Sequence, residues 1–321
     1  MMNATVHAEP ATRDTKLERY RAAEARLWRA YDLDPVERFV ETADGAGRLR
    51  VVDVGTGDPV LFIPGTGGTG PYWAPLVREL AANHRCLLLD RPGWGLSTPA
   101  DFRSDSLQHI AAATVTRVLD GLGVEAADVI GASIGGLWAL RFAQLAPTRA
   151  RRLVLIGGGP IVDLPIPRFI RLLASPVGAL MVRLPFSPGM ARSQLEAIGH
   201  GPGIAAGRMD AFIEWRVAFA RDTSSMRHER AMVRGILQRD GWRPGVLPRP
   251  DELASVTAPT MFVFGSADPT GTVDIWRTFT GRLPDAELHV IDGAGHMPWW
   301  DEPTAVGRLI RGHLDGPAGG R

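Results

Sequence analysis

Short apolar runs alternate along this chain with longer stretches in which apolar residues recur every three or four positions. Residues 59–64, 85–90, 127–130, 152–157, 259–265 and 287–291 are the short runs, apolar throughout or nearly so. Runs of this length, bounded by Gly and Pro, read as strands covered on both faces of a parallel sheet. Residues 72–82, 104–122, 137–144, 272–279 and 303–314 carry the helical period, and Ser104 or Asp105 suits the cap of the second of these. Ahead of them, residues 15–31 read as a helix with Leu17, Tyr20, Ala23, Leu27, Trp28 and Tyr31 near one face. Residues 39–54 read as two short strands around the turn Asp44-Gly45-Ala46-Gly47. Residues 1–14 show neither period and are expected to be disordered.

The alternation stops between residues 161 and 250. That stretch is rich in Pro, Gly, Arg and Met, holds no strand-like run, and shows helical spacing over 168–183, 207–221 and 224–239. It reads as a helical insertion. Its arginines are dispersed along the chain, which argues against a helix made to touch a membrane surface. Strands alternating with helices on either side predict an α/β fold with a mostly parallel, doubly wound sheet. The expected units are an N-terminal extension (1–38), a core in two pieces (39–160 and 251–315), the insertion (161–250) and a tail (316–321).

Composition narrows this only a little. With 321 residues, 45% of them hydrophobic, the chain can bury a large core. A net charge of +1 gives no global electrostatic case for nucleic acid or anionic membranes. One cysteine, Cys86, sits inside an apolar run and excludes an internal disulfide. The polar first residues and the lack of a long apolar run lead to the expectation of a cytoplasmic protein without integral membrane association.

The candidate chemistry lies in the turns after the apolar runs. Val129-Ile130 leads into Gly131-Ala132-Ser133-Ile134-Gly135-Gly136 and then a helical stretch, which is strand, tight turn and helix with a serine at the apex. Such a turn strains the serine backbone and exposes its hydroxyl. Side chains at Gly131 and Gly135 would collide with the neighbouring strand and helix. The helix N-terminus behind the serine favours negative charge developing there. Gly65-Thr66-Gly67-Gly68-Thr69-Gly70 follows the run 59–64. It completes no phosphate-binding pattern and reads best as a loop of backbone N–H donors facing the serine. Asp268 and His296 each follow a later apolar run. In parallel sheets, sites collect at the carboxyl ends of strands, where all of these residues fall.

These stretches resemble the α/β-hydrolase family over roughly residues 39–314. The resemblance rests on Leu61-Phe62-Ile63-Pro64-Gly65, Asp90-Arg91-Pro92-Gly93-Trp94-Gly95-Leu96-Ser97, the Ser133 turn, Phe264-Gly265-Ser266-Ala267-Asp268 and Gly293-Ala294-Gly295-His296-Met297-Pro298. The insertion matches the family's helical cap in position. Pro64 departs from the pattern, since many members have histidine there, and this leaves the geometry of the oxyanion loop open. The resemblance implies a catalytic triad: Ser133 as nucleophile, His296 as base and Asp268 as the acid that orients it. Asp163, after the run 152–157, is the rival for the acid, because some members place theirs there. The resemblance also implies an oxyanion hole from the backbone N–H groups of Thr66 and Ile134, and no metal or organic cofactor.

What such a site acts on is set by its pocket. Trp94, Trp299 and Trp300 are candidate pocket walls, while Trp138 fits core packing at least as well. Met181, Phe186, Met190, Met209 and Phe212 suggest an apolar, adaptable lining, or a cap–core interface. The expected function is hydrolysis of a carboxylic ester, thioester or lactone with an apolar acyl group through an acyl-enzyme on Ser133. The serine disfavours epoxide and haloalkane chemistry, for which family members use aspartate at this position. The alternatives are use of the same triad for C–C bond hydrolysis, a haloperoxidase side activity or a lyase or cyclase step, and a non-catalytic small-ligand receptor on the same fold. The N-terminal helix and the cap each offer a dimer surface, and nothing in the sequence chooses between them.

Overall fold

A computed structural model describes residues 11–102 and 107–316 of the chain, residues 11–14 by backbone only. The caps expected at Ser104 or Asp105, the expected disorder of residues 1–10 and most of the expected tail lie outside the described residues.

Eight strands form one sheet: β1 (Val36–Glu41), β2 (Arg48–Val54), β3 (Asp58–Ile63), β4 (His84–Leu89), β5 (Ala127–Ala132), β6 (Ala150–Ile156), β7 (Thr260–Gly265) and β8 (Ala286–Ile291). Their spatial order is β1-β2-β4-β3-β5-β6-β7-β8. β1 and β2 form an antiparallel hairpin closed by Thr42 N–H donating to Gly47 O, and β2 also runs antiparallel to β4. Every later pairing is parallel, with Leu61 opposite Leu87 on one side and Val129 on the other. The apolar runs are covered on both faces, as their lack of alternation requires. Val60 to Ile63, Cys86 to Leu89 and Leu153 to Ile156 are fully buried. Cys86 is free, and burial raises its thiol pKa.

The helices around the sheet fall close to the periodic stretches. Pro303–Leu314 has the expected ends, and Val273–Thr280 is capped by Thr272, whose Oγ1 accepts from Ile275 N–H at 3.4 Å. The helix after Ser133 runs Ile134–Leu145 and so begins earlier than its spacing suggests, directly behind the serine. The N-terminal helix spans Ala11–Ala30, so residues 11–14 are helical and not disordered. It buries Tyr20, Ala23, Leu27 and Trp28, while Leu17 stays exposed. A buried ion cluster anchors it: Arg50 bonds Glu24 at 2.6 Å and Asp90 at 3.2 Å.

Between β6 and β7 the chain leaves the sheet and builds a helical cap. The stretch expected as one helix over 168–183 is two, Arg168–Ala174 and Pro176–Met181, broken where Pro176 has no N–H to continue the first. Helices Asp210–Asp222 and Ser225–Ile236 match the other two periodic stretches. Pro188–Glu196 and Gly201–Ala205 were not legible, because Pro and Gly obscure their short periods. A small hairpin pairs Leu237–Gln238 with Gly241–Trp242, so the insertion does hold strand pairing. Arg19 to Asp222 (2.7 Å) and Arg26 to Glu214 (3.3 Å) tie the N-terminal helix to the cap.

Candidate active site

β5 ends in a turn that only a tight packing of small residues allows. Ser133 has φ 52° and ψ −120°; Asp32 is the other non-glycine residue with positive φ among the described residues. A Cβ on Gly131 would lie 2.3 Å from Gly135 O, and one on Gly135 would lie 2.1 Å from Ile63 O of β3. The strained serine is therefore held by the approach of helix to strand on both sides. Ile134 opens the helix, so its N–H is one of the first-turn donors that have no intrahelical acceptor.

The loop after β3 abuts this turn. A Cβ built on Gly65 would lie 3.2 Å from Ser133 Cβ, from Ala132 O and from Tyr72 Oη. Thr66 follows at the same edge. Tyr72 thus brings a hydroxyl beside the serine, a residue that sequence reasoning missed because it lies in a short 3₁₀ turn, Gly70–Trp73. Burial raises the pKa of this phenol.

Asp268 and His296 meet at the ends of β7 and β8. His296 Nδ1 lies 2.8 Å from Asp268 Oδ2. That contact leaves Nε2 as the ring nitrogen for a reacting group. Asp268 is saturated: Oδ2 also accepts from Gly158 N–H at 3.1 Å, and Oδ1 accepts from Thr270 N–H and Oγ1 at 2.9 and 2.7 Å. Burial pushes the Asp268 carboxyl up, but His296 and the Thr270 donors outweigh it, and the net pKa is lowered. Burial pushes His296 down, but the Asp268 carboxylate outweighs it, and the net pKa is raised. Asp163, the rival acid, is exposed to solvent.

Gly157-Gly158-Gly159 at the end of β6 supplies the floor. Cβ atoms there would lie 2.5 Å from His296 O, 2.0 Å from Thr270 Oγ1 and 2.5 Å from Ser133 O respectively. Each glycine lets one of the three candidate groups, or its support, sit against the strand end. The profile of the alpha/beta hydrolase family matches residues 60–309. The chain belongs to this family.

Relatives and solved folds agree with that placement. A 2-hydroxy-6-oxononadienedioate/2-hydroxy-6-oxononatrienedioate hydrolase of Cupriavidus pinatubonensis is 28% identical over 85% of this chain and 93% of its own. Among solved structures, a 2-hydroxy-6-oxo-6-phenylhexa-2,4-dienoate hydrolase from Rhodococcus has a TM-score of 0.74 at 20% identity, covering 88% of this chain and 100% of that one. Naproxen esterase from Bacillus subtilis has a TM-score of 0.69 at 18% identity, covering 92% and 97%. The last two likenesses speak for the fold. The chain is a hydrolase of this fold, and no helix among the described residues is long and apolar enough to cross a membrane.

Two charged groups of the cap, Glu229 and Arg216, meet the loop after β3. Glu229, only 1% exposed, accepts from Trp94 Nε1 at 2.8 Å and from Gly67 N–H at 3.1 Å. Arg91 is fully buried, donates to Gly65 O at 2.9 Å, stacks 4.1 Å from the Trp94 ring and lies 3.8 Å from Glu229 Oε2. Arg216 donates to Gly67 O at 2.7 Å and to Gln194 at 3.1 Å. Two guanidiniums therefore face one carboxylate around the loop beside Ser133, and burial lowers the pKa of both. None of the three was given a role from sequence, because their grouping joins residues far apart in the chain.

The tryptophans expected to wall the pocket are placed as supports. Trp94 is fully buried with its N–H on Glu229. Trp299 stacks on Trp73 at 4.7 Å, Trp300 packs 4.4 Å from Phe212, and both donate to Tyr72 O at 3.0 Å. They fix Tyr72 from behind. Trp138 is core, as its second reading had it. Phe186, Met209 and Phe212 are buried, but Met181 and Met190 point outward.

A second histidine holds the His296 loop. His200, fully buried, accepts from Met297 N–H through Nε2 at 3.1 Å, so its Nδ1 carries the proton and donates to Asp301 at 2.9 Å. Asp301 also accepts from Gly295 N–H at 2.8 Å, and His296 N–H donates to Ile198 O at 2.9 Å.

Proposed function

We propose that the protein is a serine hydrolase that attacks the carbonyl of a carboxylate-bearing substrate, with the carbon–carbon bond of a 2-hydroxy-6-oxo dienoic acid as the bond broken. Ser133 is the nucleophile, His296 the base and acid, and Asp268 the orienting carboxylate. Ser133 Oγ adds to the oxo carbon as His296 Nε2 takes its proton. The oxyanion is received by the N–H groups of Ile134 and Thr66, aided by the Tyr72 hydroxyl. Collapse breaks the bond from the carbonyl carbon to its neighbour. The neighbouring carbon can leave because the substrate reacts as its 2-oxo tautomer, the 2-hydroxyl proton having first moved to that carbon. The electron pair then passes through the adjacent double bond into the 2-oxo group, and His296 returns the proton to the resulting dienolate. Water, activated by the same histidine, then releases the acyl group as a carboxylic acid. The sum adds one water across one C–C bond.

The observation that carries this reading is the charge beside the nucleophile. Arg91 and Arg216 border the loop after β3 that abuts the Ser133 turn, with Glu229 as their single acid, and Arg216 forms no ion pair among the described residues. A substrate carboxylate supplies the missing negative charge, where an apolar ester would leave a partly buried cation uncompensated. The names of the 28%-identical relatives, which are hydrolases of oxo dioic acids without an ester group, point the same way.

The test is a comparison of kcat/KM on 2-hydroxy-6-oxo dienoates and on neutral aryl esters of similar size. The expected result is a preference for the acid of at least roughly tenfold. Arg216→Met should cost about 10²-fold on the acid, as loss of a charge-assisted contact does, and under about threefold on the ester. Equal or faster turnover of the neutral esters, with Arg216→Met silent on both, would return the protein to the ester-hydrolase reading.

A further inference from the structure

Seven of the eleven large apolar side chains that stand exposed among the described residues fall in one short part of the cap: Phe169, Leu172, Val177, Leu180, Met181, Leu184 and Met190. Scattered exposed leucines need no explanation, but a cluster of this kind does. Leu180 is 61% exposed and Phe169 51%. Phe169 and Leu172 share one side of helix Arg168–Ala174 at i, i+3 spacing. Val177, Leu180 and Met181 share one side of helix Pro176–Met181. The two helices meet at Gly178, where a Cβ would lie 2.0 Å from Leu173 O, so they form one unit and not two loose segments.

The charge within this unit is positive, with exposed Asp163 and Glu196 just outside it and Arg192 paired with Asp210 at 2.8 Å. Residues 164–195 contain Arg168, Arg171, Arg183 and Arg192 and no Asp or Glu. Arg168, Arg171 and Arg183 are exposed. Next to the unit lies a groove of about 1460 Å³ between helices Arg168–Ala174 and Ser225–Ile236. Its wall carries Arg171, Arg227, Arg230, Arg234, Arg239 and Arg243 against one acid, Asp101. None of these six arginines forms an ion pair among the described residues. Arg230 joins groove to unit, donating to Ser175 O at 3.1 Å in the corner between the two short helices. The arginines that are dispersed along the sequence are therefore brought to one rim.

We propose that this face of the cap docks on an anionic lipid bilayer. The helices of residues 168–184 lie in the plane of the interface, with the exposed Phe, Val, Leu and Met side chains at the boundary between headgroups and acyl chains. The arginines of the rim and groove meet the phosphates of anionic headgroups, for which planar guanidinium forks are suited. Helices of seven and six residues are far too short to span, so the association is peripheral. The inference is independent of which bond Ser133 attacks.

The experiment is co-sedimentation of the full chain with vesicles of phosphatidylcholine alone and of phosphatidylcholine mixed with phosphatidylglycerol, at low and high salt. The bound fraction should favour the anionic vesicles by roughly tenfold or more and fall with salt. Leu180→Asp with Leu184→Asp should remove binding to both vesicles, and Arg171→Glu with Arg183→Glu should remove the anionic preference. All four residues are exposed, so each pair should keep the wild-type melting transition. The proposal is overturned if the wild type stays in the supernatant. It is also overturned if both double variants melt normally and sediment as the wild type does. Analytical ultracentrifugation supplies the third arm: a wild-type dimer that Leu180→Asp splits, with no vesicle binding, would mean that a second copy covers the face.

Discussion

The ends of the sheet strands and the cap that covers them solve opposite problems. At the strand ends, every candidate group is fixed by something that has no freedom to give. Gly131, Gly135 and the Gly157-Gly158-Gly159 floor leave backbone against backbone, and Asp268 has four donors for its two oxygens. The cap meets the core through buried apolar side chains such as Phe212 on Trp300 and through a few long polar ones: Glu229 to Trp94 and Gly67, Arg216 to Gly67, His200 to Met297. Its outer helices carry apolar side chains into solvent. The candidate chemistry thus sits where backbone packing excludes movement, and the proposed substrate and membrane contacts sit on the part that can vary without disturbing it.

Removing the centre of the rigid half should have the largest effect. Ser133→Ala is expected to lower turnover on the order of 10⁶-fold and to abolish labelling by a fluorophosphonate, read as a missing adduct in intact mass. Labelling that survives would place the nucleophile elsewhere.

Asp268→Asn should follow, with a loss of about 10⁴-fold, because the amide holds His296 in the wrong tautomer. Its pH profile sharpens the point. As the proposed base His296 would act only when neutral, and the carboxylate holds its pKa above the ordinary 6.5. The wild-type rate should thus fall on the acid side at a midpoint above that value, and the Asn variant should move the midpoint down. Stability carries the matching signs. The His296 contribution is full below pH 6.5 and is lost as pH rises through its raised value. The Asp268 contribution is full above pH 3.8 and is lost as pH falls through its lowered value. Thermal melts across that range should show the pair most stabilising between the two limits.

Breaking the junction of the two halves comes next. Glu229→Gln leaves Arg91 and Arg216 without their acid and should cost about 3 kcal/mol, a drop of roughly 4–5 °C in Tm by calorimetry. An unchanged Tm would mean that the cap rests on packing alone. The smallest effect expected is that of His200→Ala. Losing the acceptor for Met297 N–H should lower kcat about tenfold with little change in KM, by letting the His296 loop drift. If KM rises instead, His200 is part of the substrate wall and not a positioning residue.

The strands of the sheet and its mostly parallel character are written in the sequence. Apolar runs such as residues 59–64 and 86–89 are buried on both faces, and the helical stretches between successive runs favour parallel pairing, as between β3 and β4, although β4 also has the antiparallel β2 beside it. The sequence also placed Ser133, Asp268 and His296 at strand ends, because local turn chemistry, Gly-x-Ser-x-Gly above all, is written in neighbouring residues. Tertiary structure decided what depends on residues far apart in the chain. The Gly157-Gly158-Gly159 floor is a loop until Ser133, Thr270 and His296 close on it. The group of Arg91, Arg216 and Glu229 spans the junction of cap and core, and no periodicity announces it. The same holds for the outer face. Pro176 breaks an expected helix in two, and only the folding of those pieces beside helix Ser225–Ile236 gathers scattered arginines around exposed leucines. Local patterns fix local elements, while charge and exposure are properties of surfaces, which exist only once the elements have packed.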